Sequence, residues 1–267
     1  MISSSQACYK SLLTLSAIFP CLAHSQPLAQ ISIATGILQQ DYREFSASAP
    51  NGIFNQETGN LNTWQIQANY LPILPIGILN LPLYLQGQYR QSSGNTQYDG
   101  YLQQGKMLTP FASKTNNNLQ DMQVSVGLRL RPQPFQVVPF ASYLDHTWRR
   151  GLSQYQETFS HKSLALGVST TWQINAKWEV LGLFSVGKMQ SAQINTPQVS
   201  FSASLGTRTI KTLQAQLAYS LNQHWKLALS ADYQRYSYGE STISNGFFEP
   251  ASKTQQRSVL AGMYYYY

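Results

Sequence analysis

From residue 29 onward the chain alternates. Apolar and polar side chains take turns along runs of about ten residues, and turn-forming residues separate the runs. Successive side chains of a strand point to opposite faces, so each run reads as a strand with one greasy and one polar face. Residues 60–71 set Trp64, Ile66, Ala68 and Tyr70 against Thr63, Gln65, Gln67 and Asn69. Residues 119–131 set Met122, Val124, Val126, Leu128 and Leu130 against Asp121, Gln123, Ser125, Gly127, Arg129 and Arg131. Ten such segments can be drawn: 29–44, 60–71, 79–91, 119–131, 136–149, 159–173, 177–189, 205–221, 225–237 and a last one ending at Tyr267. Two are irregular. In 136–149 the apolar residues Val138, Phe140, Leu144 and Trp148 are assigned outward, with Tyr143 and Asp145 inward. In 177–189 Val180, Phe184 and Val186 compete with Leu181 and Leu183 for the apolar face. Pro82 and Pro139 sit near segment starts, where a missing N–H is tolerated.

The connections alternate in length. Those after odd segments are long and polar (45–59, 92–118, 150–158, 190–204 and 238–254). Those after even segments are short (72–78, 132–135, 174–176 and 222–224). Two short turns look alike, Trp172-Gln-Ile-Asn-Ala-Lys-Trp178 and Tyr219-Ser-Leu-Asn-Gln-His-Trp225, each with aromatics across an Asn-containing turn.

Composition narrows the class. Only 11% of residues are charged, against about 25% in soluble domains. Gln, Asn, Ser and Thr abound, which suits a wall with one apolar face and one neutral polar face. No apolar run reaches the roughly 18 residues a spanning helix needs, and Leu71 to Leu85 is broken by Pro72, Pro75 and Pro82. Near the N-terminus, Lys10 precedes the apolar run from Leu12 to Ala23, and Ala23-His24-Ser25 offers small residues for cleavage before Gln26. Residues 1–25 therefore read as a secretory signal peptide and 26–267 as one domain. Both cysteines, Cys8 and Cys21, fall in that leader, so no disulfide is expected. The formal charge is +7, and removing Lys10 lowers it to +6.

The final strand carries Val259, Ala261, Met263, Tyr265 and Tyr267 on one face, and Ser258, Gly262, Tyr264 and Tyr266 with the aliphatic Leu260 on the other. It resembles the C-terminal assembly signal of bacterial outer-membrane β-barrels, with Tyr267 in place of that family's usual Phe. The resemblance implies an all-β fold, a closed antiparallel up-and-down transmembrane β-barrel of about ten strands. It implies export through the periplasm, residence in the outer membrane, and recognition of the last strand by the barrel-assembly machinery. Long outer loops and short periplasmic turns agree with it.

Position along the strands then predicts a lipid contact. Lys162, Lys188, Lys211, Arg235 and Arg257 each lie ten residues from a near-turn residue: Trp172, Trp178, Leu221, Trp225 and Tyr267. An even offset keeps the face, so all five should point to lipid. Ten tilted residues climb roughly 23 Å, close to the apolar band of about 25 Å. The five are lipopolysaccharide-contact candidates. Asp41, Asn60, Tyr89 and Gln120 occupy similar heights in the earlier segments.

Inside, a barrel of this size is expected to be largely filled. Arg90, Asp121, Arg129, Arg131, Asp145, Lys226 and Asp232 are the expected lumen network, as Arg–Asp pairs bridged by Gln and Tyr. The chain then reads as a non-enzymatic structural, surface-interaction or narrow-channel protein. The alternative is an outer-membrane hydrolase. Omptin proteases are similar in size, but their Asp-x-Asp and Asp-x-His patterns are missing here, and Asp145-His146 are adjacent, on opposite faces. His161-Lys162-Ser163 matches the His-x-Ser spacing of lipid A deacylases, but faces the lumen rather than lipid. Glu157 is four residues from His161, about 13 Å along a strand. No metal spacing, cofactor motif or nucleic-acid partner is expected.

Overall fold

The computed structural model describes residues 29–267, apart from 48, 77–78, 105–106, 132–133 and 245. The expected leader lies outside the described residues. Among the described residues twelve strands follow one another: β1 (Ala29–Phe45), β2 (Ile53–Tyr70), β3 (Ile73–Ile76), β4 (Leu79–Gln104), β5 (Met107–Leu128), β6 (Phe135–Leu152), β7 (Tyr155–Gln173), β8 (Trp178–Thr196), β9 (Phe201–Ser204), β10 (Thr209–Ser220), β11 (Trp225–Tyr238) and β12 (Ala251–Tyr266). All but β3 and β9 form a ring of ten antiparallel strands, which closes where β12 pairs with β1. The short β3 pairs with β4, and β9 with β8. Within the ring each of the ten strands is paired on both sides, which is what lets so polar a sequence form a stable wall.

The closing seam runs in register from Gln30 opposite Tyr266 to Phe45 opposite Ala251. Gly36 is required there. A Cβ at that position would sit 2.0 Å from the carbonyl oxygen of Val259.

The ten long strands match the ten segments, but several run much further. The expected connection 92–118 is mostly a continuation of β4 and β5, and 53–58 belongs to β2. The cause is packing. The apolar/polar sense inverts partway up the wall, so these stretches look like loops on an outward-apolar template. Near the end that carries Ala29 and Tyr267, apolar residues such as Ile33, Ile66, Val124 and Leu229 are exposed outside and polar ones such as Ser32, Gln65, Ser125 and Ser230 are buried inside. Towards the far end the interior becomes a dry core of Leu38, Tyr42, Leu61, Leu119, Trp148, Phe159, Met189, Ile194, Tyr236 and Tyr238.

This inversion corrects the reading of β6. Val138, Phe140, Leu144 and Trp148 are buried inside, whereas Pro139, Ala141 and Tyr143 are exposed outside. Asp145, expected in the lumen, is therefore on the outer face with 43% of its side chain exposed. Size and apolarity alone misassign this strand, because its large side chains serve the interior core.

In β8 a bulge resolves the competition. Ser163 pairs with Met189 but Lys162 pairs with Ser191, so one extra residue enters β8. Below it Val180, Phe184, Val186 and Lys188 face out. Above it the parity flips, and Ala192 and Ile194 enter the core.

Candidate functional site

The near turns hold the wall's lower edge. Asn175 Oδ1 accepts the backbone N–H groups of Lys177 and Trp178 at 2.9 and 3.0 Å, and Asn222 Oδ1 does the same for His224 and Trp225, both at 2.9 Å. Aromatic rings gather at this end. Trp178 packs on Tyr219 with centroids 4.8 Å apart, and Trp225 on Tyr265 at 4.7 Å.

The lower lumen is bridged by ion pairs. Arg90 of β4 reaches across to Asp232 of β11, Nη2 to Oδ2 2.9 Å, and also donates to Gln65 Oε1. Ser258 donates to the same Asp232 oxygen at 2.8 Å. Lys226 pairs with Glu179 at 2.7 Å and stands over the Tyr266 ring. Arg129 is inside and buried, and Arg131 lies exposed just past the end of β5. Asp121 lies inside too, but its partner is a histidine: His146 Nδ1 is 2.6 Å from Asp121 Oδ1. With a carboxylate as acceptor, that nitrogen carries the proton.

Above this layer the lumen is plugged. His146 and His161 stack with centroids 4.6 Å apart, and His161 Nδ1 lies 2.7 Å from the Tyr238 hydroxyl. Trp148 stacks on Phe159, and its indole N–H donates to Asn117 Oδ1 at 2.6 Å. The guanidinium of Arg150 lies 5.1–5.5 Å from the ring centres of Tyr42, Trp148 and Phe159. It donates to Glu157 Oε2 from Nε at 2.7 Å and faces Glu44 at 3.3 Å and Glu57 at 3.6 Å. Such a charge tolerates burial only with partners on several sides. The connection 239–250 folds down over the cluster. Tyr42 donates to Glu249 Oε1 at 3.1 Å, and Phe247 packs on Phe201. Burial holds the Glu249 carboxyl well above the usual carboxylate range, Glu44 and Glu157 push it further, and Arg150 opposes them. A reciprocal backbone pair between Gly206 and Gly239 ties the strand ends beside this cap.

Glu44, Glu57, Arg150, Glu157 and Glu179 were not among the sequence candidates. Alternation alone places Glu179 on the face of Leu181 and Leu183. Arg150 on β6 and its three glutamates on β1, β2 and β7 are brought together only by ring closure. His161 is engaged by Tyr238, Ser163 is buried, and Glu157 is bound to Arg150.

Outside, Lys162, Lys188, Lys211, Arg235 and Arg257 are all exposed, and the ladder makes them neighbours. Lys188 faces Leu164, two residues from Lys162, and Thr209, two from Lys211. Lys211 stands directly opposite Arg235, and Arg257 is two residues from Gln255, the partner of Arg235. The five form one arc across β7, β8, β10, β11 and β12. The Lys211–Arg235 pairing is unfavourable in isolation, since like charges across a ladder repel.

No protein-family model matches the chain, and no curated protein matches it in sequence. Solved structures match it in shape. The outer membrane protease OmpT from Escherichia coli is similar over 90% of this chain and 96% of its own, with a TM-score of 0.59 and 11% identity. The transport unit of the autotransporter AIDA-I from Escherichia coli covers 94% of each chain at 9% identity and a TM-score of 0.45. The outer membrane protein OprG from Pseudomonas aeruginosa covers 91% of this chain and 97% of its own at 8% identity and 0.43. The ring closure, strand count and alternation, together with the OmpT likeness, give the chain the fold of a ten-stranded outer-membrane β-barrel.

Proposed function

We propose that this chain is an integral outer-membrane barrel with a sealed lumen. It acts as a non-enzymatic surface protein, through its outer wall and its projecting hairpins rather than by conduction or catalysis. In this reading the start of β1, the end of β12 and the short turns face the periplasm, and β12 is the strand offered to the barrel-assembly machinery. The basic arc stands about one apolar band above the aromatic turns, which supports a lipid-embedded wall.

The observation that carries the reading is the plug. Trp148, Phe159, Tyr42, Tyr236 and Tyr238 are each no more than 1% exposed, and Arg150 is knotted to glutamates above them. The β4–β5 hairpin offers a contact surface outside this plug. Its pairing with β2 stops at Gly100 and with β6 at Asn116, so the two strands continue outward as an isolated ribbon.

Planar-bilayer recording of the refolded, leader-free chain tests the sealed lumen, and the expected result is no unitary conductance. Steady ion-selective openings would replace this reading with a narrow channel. Hydrolysis of peptides or of lipid A, abolished by His161→Ala, would replace it with a hydrolase.

A further inference from the structure

From Pro139 to Tyr143 the outward face of β6 carries no Leu, Ile, Val or Met side chain. Because β6 turns Val138, Phe140, Leu144 and Trp148 inward, its outer face presents Pro139, Ala141 and Tyr143. Three rows cross this region. The lowest reads Val126, Ala141, Leu166, Val186, with Lys211 at its end. The middle reads Val124, Tyr143, Leu164, Lys188, Thr209. The upper reads Met122, Asp145, Lys162, Ser191.

Ala141, small between Val126 and Leu166, floors an apolar groove of about 640 Å³ that ends at Lys188 and Thr209. Directly above it the β8 bulge opens a polar notch of about 180 Å³, lined by Asp145, Ser160, His161, Lys162, Ser191 and Gln193. Lys162 reaches Asp145 only loosely, at 4.0 Å. A greasy channel capped by cations and then by hydroxyls, an amide and a carboxylate has the polarity sequence of one molecule class: an acylated, phosphorylated sugar lipid.

We propose that the outer face of β5–β8 binds one molecule of lipid A, the acylated phospho-disaccharide of lipopolysaccharide. Acyl chains lie along the Ala141 groove. One phosphate sits between Lys162 and Lys188, which are diagonal neighbours about 7–8 Å apart at the backbone and within reach of a shared anion. Sugar hydroxyls donate to Asp145 and exchange hydrogen bonds with Ser191 and Gln193. These contacts favour a headgroup with several hydroxyls, as a sugar has, since Asp145, Ser191 and Gln193 together offer more hydrogen-bond partners than a single ammonium can use. Lys211, Arg235 and Arg257 continue the arc, where further phosphates relieve the opposition of Lys211 and Arg235. The inference rests on the outer-membrane reading.

The test is native mass spectrometry of the full chain, expressed in a lipopolysaccharide-bearing host and extracted from outer membranes in mild detergent. The folded fraction is scored separately by its heat-shifted gel mobility. The wild type is expected to retain one lipid A adduct. Lys162→Gln with Lys188→Gln should lower the retained fraction about tenfold. Ala141→Trp, which fills the groove and leaves every charge in place, should do the same. Lys253→Gln, a cation on the outer face of β12, should leave it unchanged. Equal retention in all variants, retention of phospholipid in place of lipid A, or an equal loss in Lys253→Gln would overturn the site. If Ala141→Trp fails to fold, the surface lysine pair decides alone. A wild-type chain missing from the outer-membrane fraction would instead sink the localisation, and this site with it.

Discussion

Arg150 and Glu157 stand directly opposite each other on β6 and β7, and the Nε proton of the arginine points at Oε2 from 2.7 Å. Two further carboxylates, Glu44 and Glu57, close on the same guanidinium. Removing the arginine leaves the buried Glu44 and Glu57 and the half-buried Glu157 without their cation. Arg150→Met should cost about 3–5 kcal/mol of barrel stability, the range for breaking a buried pair. Arg150→Lys should recover only part, because an ammonium cannot make the planar fork. Urea unfolding in detergent micelles measures both, and an unmoved midpoint for Arg150→Met would mean that the cluster is incidental to stability.

Trp148 fills the centre of the plug and stacks on Phe159. Trp148→Ala should destabilise the barrel by about 3–5 kcal/mol, the cost of an unfilled aromatic site in a core. It also strands the Asn117 carbonyl. Adding Phe159→Ala should open a leak that the wild type is expected to lack. A double variant as silent as the parent would show that another layer seals the lumen.

One residue in β8 sets which way its upper half faces. Deleting Gln190 removes the bulge between the Met189 and Ser191 pairings. Ala192 and Ile194 would then turn to the outside and their polar neighbours to the core. The deletion should abolish the folded, heat-modifiable form, whereas Gln190→Ala, which keeps the count, should fold normally. Comparable folding of the two would mean that the bulge is dispensable.

Closure depends on a close approach. Gly36→Ala places a methyl against the Val259 carbonyl, so the β1–β12 seam must spread. The expected result is slower folding into lipid vesicles and less folded product, with unfolded precursor accumulating. Gly87→Ala, where an added Cβ meets nothing within 4 Å, is the matched control and should behave as wild type.

The cap over the plug should loosen with alkali. Glu249 has a carboxyl pKa raised in the folded state, chiefly by burial. A raised folded pKa means that the folded state holds the proton more tightly. Its stabilising contribution is complete below the usual carboxylate range and is lost as pH rises through the raised value. Proteolysis of the 239–250 connection should therefore speed up with rising pH, and Glu249→Gln should flatten that dependence. A cleavage rate in the wild type that ignores pH would contradict this assignment.

The outward-facing halves of most strands were legible in residue order. Trp64-Ile66-Ala68 and Leu213-Ala215-Leu217 state their face by alternation, and the paired Asn turns at Asn175 and Asn222 state where the chain reverses. The positions of Lys162, Lys188, Lys211, Arg235 and Arg257 on the outer face follow from parity within a strand. β6 was not legible in the same way. An apolar residue marks whatever face is dry, and Leu144 and Trp148 are dry because they meet a core, whereas Leu164 and Val124 are apolar because they meet lipid. Alternation cannot tell the two environments apart. Asp145 was placed inside for that reason.

Strand period, face polarity and turn chemistry are local properties, and they were enough to specify ten strands and their alternating connections, while closure by the last segment followed from its resemblance to the C-terminal signal of outer-membrane barrels. Cross-lumen partners are not local. Arg90 finds Asp232, and Arg150 finds Glu44, Glu57 and Glu157, only after the ring closes and brings distant strands face to face. The groove at Ala141 likewise exists only because β6 spends its large side chains on the interior. That choice is made by the volume to be filled inside the barrel, and no single strand carries it.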